Sequence, residues 1–137
     1  MIKEEWKKIP GYENYEASNI GRIKSLRRIT GNLPNIGDGT RITPEKILKP
    51  YINNGGYYSV GVSNSEHRRQ YGVHQLVMRA FEGVPTEGYC VNHKDGNKLN
   101  NLLDNLEYVT FAENTAHAHA TGLINYKNRT FRKKLGL

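Results

Sequence analysis

The stretch Val91-Asn92-His93-Lys94-Asp95-Gly96-Asn97-Lys98-Leu99-Asn100-Asn101, followed by Asp104-Asn105-Leu106-Glu107-Tyr108-Val109-Thr110 and Glu113-Asn114, sets the architecture of the C-terminal half. Residues 89–92 read as a short β-strand that delivers His93, residues 94–104 as a polar loop, and residues 106–110 as a returning strand. Thr110 or Phe111 then opens a helix running to about His119, with Gly122 as its natural stop. Two strands and a helix thereby enclose one imidazole and several Asn side chains.

Upstream of this stretch, Val73, Leu76, Val77 and Ala80 share one face at helical spacing, so residues 73–81 read as a helix closed by Pro85 and Gly88. Residues 47–71 read as a β meander, with turns at Asn53-Asn54-Gly55-Gly56 and near Asn64 between Tyr- and Val-rich arms. Residues 27–46 contain Gly31, Pro34, Gly37, Gly39 and Pro44 without a sustained period, which predicts an extended loop. Residues 6–26 read as a small hairpin whose tight turn lies at Asn19 and Gly21. On its second arm Ile23 alternates with Arg22 and Lys24, one face packing and the other carrying charge. The fold class is therefore α+β, with small antiparallel hairpins preceding the strand–loop–strand–helix unit.

With 137 residues the chain supports one compact unit. A mean hydropathy of -0.72 and 36% hydrophobic residues describe a polar surface over a thin core. The net charge of +7 and a pI near 9.5 favour an anionic partner, nucleic acid first. No apolar run approaches a membrane span, and the charged first residues do not resemble a signal peptide, so no membrane partner and a cytoplasmic location are expected. Cys90, the only cysteine, excludes an internal disulfide or a thiolate-rich zinc site and reads as an inert strand residue.

The polar cluster has the residue types that phosphodiester hydrolysis needs: a base for water and oxygen donors for a divalent ion. His93 is the candidate base, since an imidazole with an ordinary pKa of about 6.5 is largely neutral at working pH. Asn105, at the start of the returning strand, is placed to bond backbone across the loop and so steady the imidazole. Asn114 and His117 share one side of the final helix, and Asn92 offers an amide oxygen to a hard cation such as magnesium. Each Asn alone reads as a turn or cap residue, and His93 alone as a structural histidine; their joint spacing favours a site. His74 reads as structural or phosphate-contacting.

Taken together, these motifs make residues from about 73 to 122 resemble an HNH endonuclease of the phage homing type. The likeness is carried by Val73-His74-Gln75-Leu76-Val77, Asn92-His93-Lys94-Asp95-Gly96-Asn97-Lys98, Asn100-Asn101, Asn105-Leu106-Glu107-Tyr108-Val109-Thr110 and Glu113-Asn114. Residues 5–26 are similar to the short DNA-binding module that often precedes this nuclease. The resemblance implies a ββα-metal core with His93 as general base, Asn105 as the central Asn and Asn114 as a metal ligand. Asn92 matches the other ligand position, where many relatives carry Asp, and His117 or Asp95 is the alternate metal or phosphate contact.

The chain accordingly divides into a DNA-binding hairpin module (1–28), a loop and meander (29–72), the nuclease core (73–122) and a basic tail (123–137). The expected activity is metal-dependent nicking of double-stranded DNA with one Mg2+ or Mn2+ per site, the monomer or dimer being left open. Expected DNA contacts are Arg22, Lys24, Arg27, Arg28, Arg68, Arg69, Lys94 and Lys98. The alternatives are a DNA-binding protein on the same scaffold with weak or no cleavage, and an RNA-binding or RNA-cleaving protein. A phage-encoded enzyme of this kind works in the host cytoplasm.

Overall fold

Tyr15 and Ala17 are buried on either side of a partly exposed Glu16, and this alternation makes a strand of the segment they share. The computed structural model describes residues 2–30 and 41–121. It opens with Trp6–Ile9 (β1), Tyr12–Ser18 (β2) and Ile23–Ser25 (β3), paired antiparallel in that order. The turn between β2 and β3 falls at Asn19 and Gly21, where the sequence pattern puts it.

Two expectations need correction here. Within the stretch read as an extended loop, Arg28–Thr30 (β4) and Arg41–Thr43 (β5) pair as the arms of a hairpin, with Ile29 opposite Ile42. Three-residue arms bounded by Gly and Pro are too short to register as a period, so cross-strand pairing alone reveals them. Lys46–Ile47 (β6), which straddles the expected boundary between loop and meander, instead completes the N-terminal sheet beside β3. The meander keeps Tyr51–Ile52 (β7), Tyr58–Ser63 (β8) and Arg68–Gly72 (β9).

The helix Val73–Glu82 (α1) follows β9 directly. The Gly72 N–H donates to Gln75 Oε1 at 2.9 Å, which satisfies one otherwise free donor at the helix start. Val73, Leu76 and Val77 are buried on the face expected from their spacing, each contributing roughly 1.5–3 kcal/mol by leaving water. This face packs against β1, β2, β3, β8 and β9 and also against Tyr89–His93 (β10) and Leu106–Thr110 (β11). One apolar cluster consequently joins Ile9, Tyr15 and Ile23 of the first sheet, Val60 and Val62 of β8, the α1 face and Leu106 of β11.

β10 and β11 pair antiparallel, with Asn92 opposite Glu107 and His93 opposite Leu106. Phe111–Thr121 (α2) packs on both strands. Its start is fixed by a reciprocal cap: Thr110 Oγ1 accepts from the Glu113 N–H at 3.2 Å, and Glu113 Oε1 accepts from the Thr110 N–H at 3.0 Å. Among the described residues no helix is long and apolar enough to cross a membrane. Gly122, the basic tail and the centre of the 27–46 segment lie outside the described residues.

Candidate active site

His93 ends β10 with its side chain 5% exposed, and its Nε2 lies 2.9 Å from Oδ1 of Asn101, also buried. An amide oxygen only accepts, so Nε2 carries the proton and Nδ1 is left as the basic nitrogen. Burial holds the His93 pKa below the ordinary histidine value, against the Asn101 bond and the Asp95 charge, which raise it, and with Lys98, which lowers it. The imidazole is therefore neutral at pH 7 and able to take a proton.

Two aromatic rings steady it. Tyr57, from the β7–β8 turn, stacks on His74 at 4.8 Å between centroids and sits 5.8 Å from His93, while His74 and His93 are 5.0 Å apart. His74 is buried with Nδ1 lacking a hydrogen-bond partner, and burial, helped by His93, pushes its pKa down to about 3. It is a neutral packing ring. Gly72 makes room for it, because a Cβ there would meet His74 Cε1 at 2.3 Å.

The loop after His93 is closed from its own Asn and Asp residues. Asn105 Oδ1 accepts from the Asp95 N–H at 3.1 Å, and its Nδ2 donates to Asp95 Oδ1 and to the Asn100 carbonyl, both at 2.9 Å. Asn105 thus bonds backbone across the loop, whereas the direct contact to the imidazole is made by Asn101. Asn101 was not singled out from the sequence; it lies in the Asn100-Asn101 pair that carries part of the resemblance.

Asp95, the alternate metal or phosphate contact expected from the sequence, takes part in the same network. Its Oδ1 also accepts from the Asn97 N–H and its Oδ2 from Asn100 Nδ2, both at 2.8 Å, so both oxygens brace the loop. These bonds, that from Asn100 foremost, hold its carboxyl below the usual range. The side chain of His117, the other alternate, lies outside the described residues.

Asn92 is buried beside His93, and its Nδ2 donates to Glu107 Oε2 at 2.9 Å. Glu107 was not singled out from the sequence; its only signal there is the strand register that sets it opposite Asn92. Among the described residues no three His, Cys, Asp or Glu side chains are grouped to hold a metal ion. The oxygen donors at the strand pair are instead an amide and the carboxylate bonded to it, which fits a hard divalent ion completed by water and phosphate. Asn114, half-buried, closes the first turn of α2, the helix that packs on these strands.

Two of the expected DNA contacts have acidic neighbours. Arg22 is paired with Glu4 and lies over the Trp6 ring. Lys24 sits 4.2 Å over the same ring, 3.5 Å from Glu16 and 3.8 Å from Glu45. Acidic residues on β2 and on the segments flanking the sheet face them, and Arg22 stays exposed to solvent. Lys98 lies over the Tyr57 ring and donates to the Gly55 carbonyl at 3.1 Å, tying the loop to the meander. Arg28 is half-buried over the Tyr15 ring, while Arg27, Arg68, Arg69 and Lys94 are exposed.

A strand ending in a buried neutral histidine, a looped return strand and a helix packed across both define a ββα nuclease core of the HNH class. Residues 71–116 match the family model for HNH endonuclease and residues 4–63 that for the NUMOD4 motif. It is 37% identical over 130 residues to the uncharacterized HNH endonuclease L245 of Acanthamoeba polyphaga mimivirus, covering 95% of this chain and 33% of that protein. It is 35% identical over 122 residues to the DNA endonuclease I-HmuI of Bacillus phage SP01, covering 88% of this chain and 61% of that enzyme. A solved structure of the HNH homing endonuclease I-HmuI, concerned with DNA binding and cleavage, aligns with a TM-score of 0.68 at 36% identity, over 95% of this chain and 66% of that one. The chain thus spans between a third and two thirds of the length of these relatives.

Proposed function

We propose that this chain is a metal-dependent DNA endonuclease that nicks one strand of duplex DNA, with His93 as general base. The buried imidazole held through Nε2 by Asn101, at the end of the strand that carries the Asn92–Glu107 pair, supports this reading. His93 Nδ1 takes a proton from water as the water oxygen bonds to phosphorus; the bond to the 3′ oxygen breaks, and that oxygen takes a proton from solvent. Asn105 keeps the 94–105 loop closed so that the imidazole stays aimed. Asn92 and Asn114 are the proposed ligands of one Mg2+ or Mn2+ ion. A bound ion supplies charge stabilisation at the phosphate and the departing oxygen.

Exposed Arg27, Arg68, Arg69 and Lys94, with the half-buried Arg28 and Lys98, are the proposed phosphate contacts. Residues 1–28 and 29–72 serve DNA binding, residues 73–122 catalysis, and the 123–137 tail adds positive charge. Acting on DNA, the protein works in the cytoplasm of the cell that holds its target. Plasmid nicking by the purified chain with Mg2+ or Mn2+, and none with a chelator, is the expected result. Binding to duplex DNA without nicking under either ion sinks the enzymatic reading in favour of a DNA-binding protein.

A further inference from the structure

Asn92 and Glu107 form a directly opposed pair on β10 and β11, and their side chains meet at 2.9 Å. A carboxylate only accepts, so this contact turns the Asn92 NH2 toward Glu107 and its Oδ1 away. The amide rotamer, free in solution, is therefore set by Glu107. Asn92 also brings no charge, while sites for hard divalent ions are built on at least one carboxylate. The other candidate on this loop, Asp95, has both oxygens committed to the loop's own N–H groups.

We infer that Glu107 is a positioning residue for the ion site: it aims the Asn92 oxygen and supplies the negative charge that the amide lacks. The inference rests on the metal-dependent reading above. Asn at 92 and Glu at 107 are then a matched pair. An Asp at 92 would set two carboxylates at hydrogen-bond distance without a proton between them, so the charge on this strand pair resides on β11 and not on β10.

The test uses the full chain with Mn2+ alone, followed by electron paramagnetic resonance, and thermal melts without metal. Glu107→Gln is expected to weaken Mn2+ binding by about 10-fold or more, with the metal-free melt little changed. Asn92→Asp is expected to melt lower without metal and to recover when Mn2+ is added. The exchange Asn92→Asp with Glu107→Gln, which moves the charge across the strand pair, is expected to restore Mn2+ binding toward the parent. Parent-like binding by Glu107→Gln, or an exchange variant as weak as Glu107→Gln, overturns the inference and leaves the metal-dependent reading standing. A parent chain that binds no Mn2+ overturns both.

Discussion

The His93 imidazole is held at 2.9 Å by Asn101, and Asn101 is itself held by the N-terminal hairpin. A Cβ on Gly21 would lie 2.9 Å from Asn101 Cβ and 3.0 Å from its carbonyl oxygen, and the Leu103 N–H donates to the Asn19 carbonyl at 2.8 Å. The β2–β3 turn is thus a wall of the site, although its residues lie more than seventy positions before His93.

His93→Ala removes the proposed base and is expected to lower the nicking rate by about 10²–10⁴-fold. DNA affinity should stay at the parent level in a filter-binding or fluorescence titration. Loss of affinity in step with activity would assign His93 to binding instead.

Asn101→Ala leaves the His93 Nε2–H buried without a partner, a cost of about 1–3 kcal/mol. A lower melting temperature and a reduced kcat with KM unchanged are expected. An unaltered kcat would show that the imidazole is aimed by other groups.

Gly21→Ala tests the wall. Gly21 has φ +90°, a conformation that costs an L-residue about 1–3 kcal/mol, and the new methyl would press on Asn101. Both stability and nicking should fall, although the substitution introduces no charge and removes no polar group. Stability loss alone would uncouple the turn from the site.

His74 gives a pH dependence with a definite sign. Its pKa is about 3 when folded against 6.5 as a free side chain, so the unfolded chain binds the extra proton first. Its contribution is complete above pH 6.5 and declines by up to about 1.4 kcal/mol per pH unit as the pH falls toward 3. His74→Phe keeps a ring against Tyr57 and should flatten this acid limb in melts run across that range. An unchanged limb would locate the titration elsewhere.

Arg68→Ala and Arg69→Ala are expected to weaken DNA binding and to lower the salt slope by about 1 each. Lys24→Ala should instead cost stability, through Trp6, Glu16 and Glu45, with the salt slope unchanged. Equal salt slopes for all three variants would contradict the assignment of Lys24 to the interior of the N-terminal sheet.

The strand ending at His93, the returning strand from Leu106, the α1 face and the capped start of α2 were all legible from the chain. Each depends on local signals: alternation, helical spacing, and a Thr where the final helix opens. The β4–β5 hairpin and the placement of β6 beside β3 were not, because strands of two or three residues carry no period of their own. They exist through their partners.

The site divides along the same line. Sequence by itself determined that an imidazole follows a strand, that amides surround it, and that the charge balance suits a polyanion, since these depend on residue type and near spacing. Only the tertiary structure decided which amide touches His93, that Tyr57 and His74 pack against it, that Glu107 faces Asn92, and that Arg22 and Lys24 have acidic neighbours. Those outcomes turn on strand register and on contacts between segments dozens of residues apart, set by the burial of one shared core.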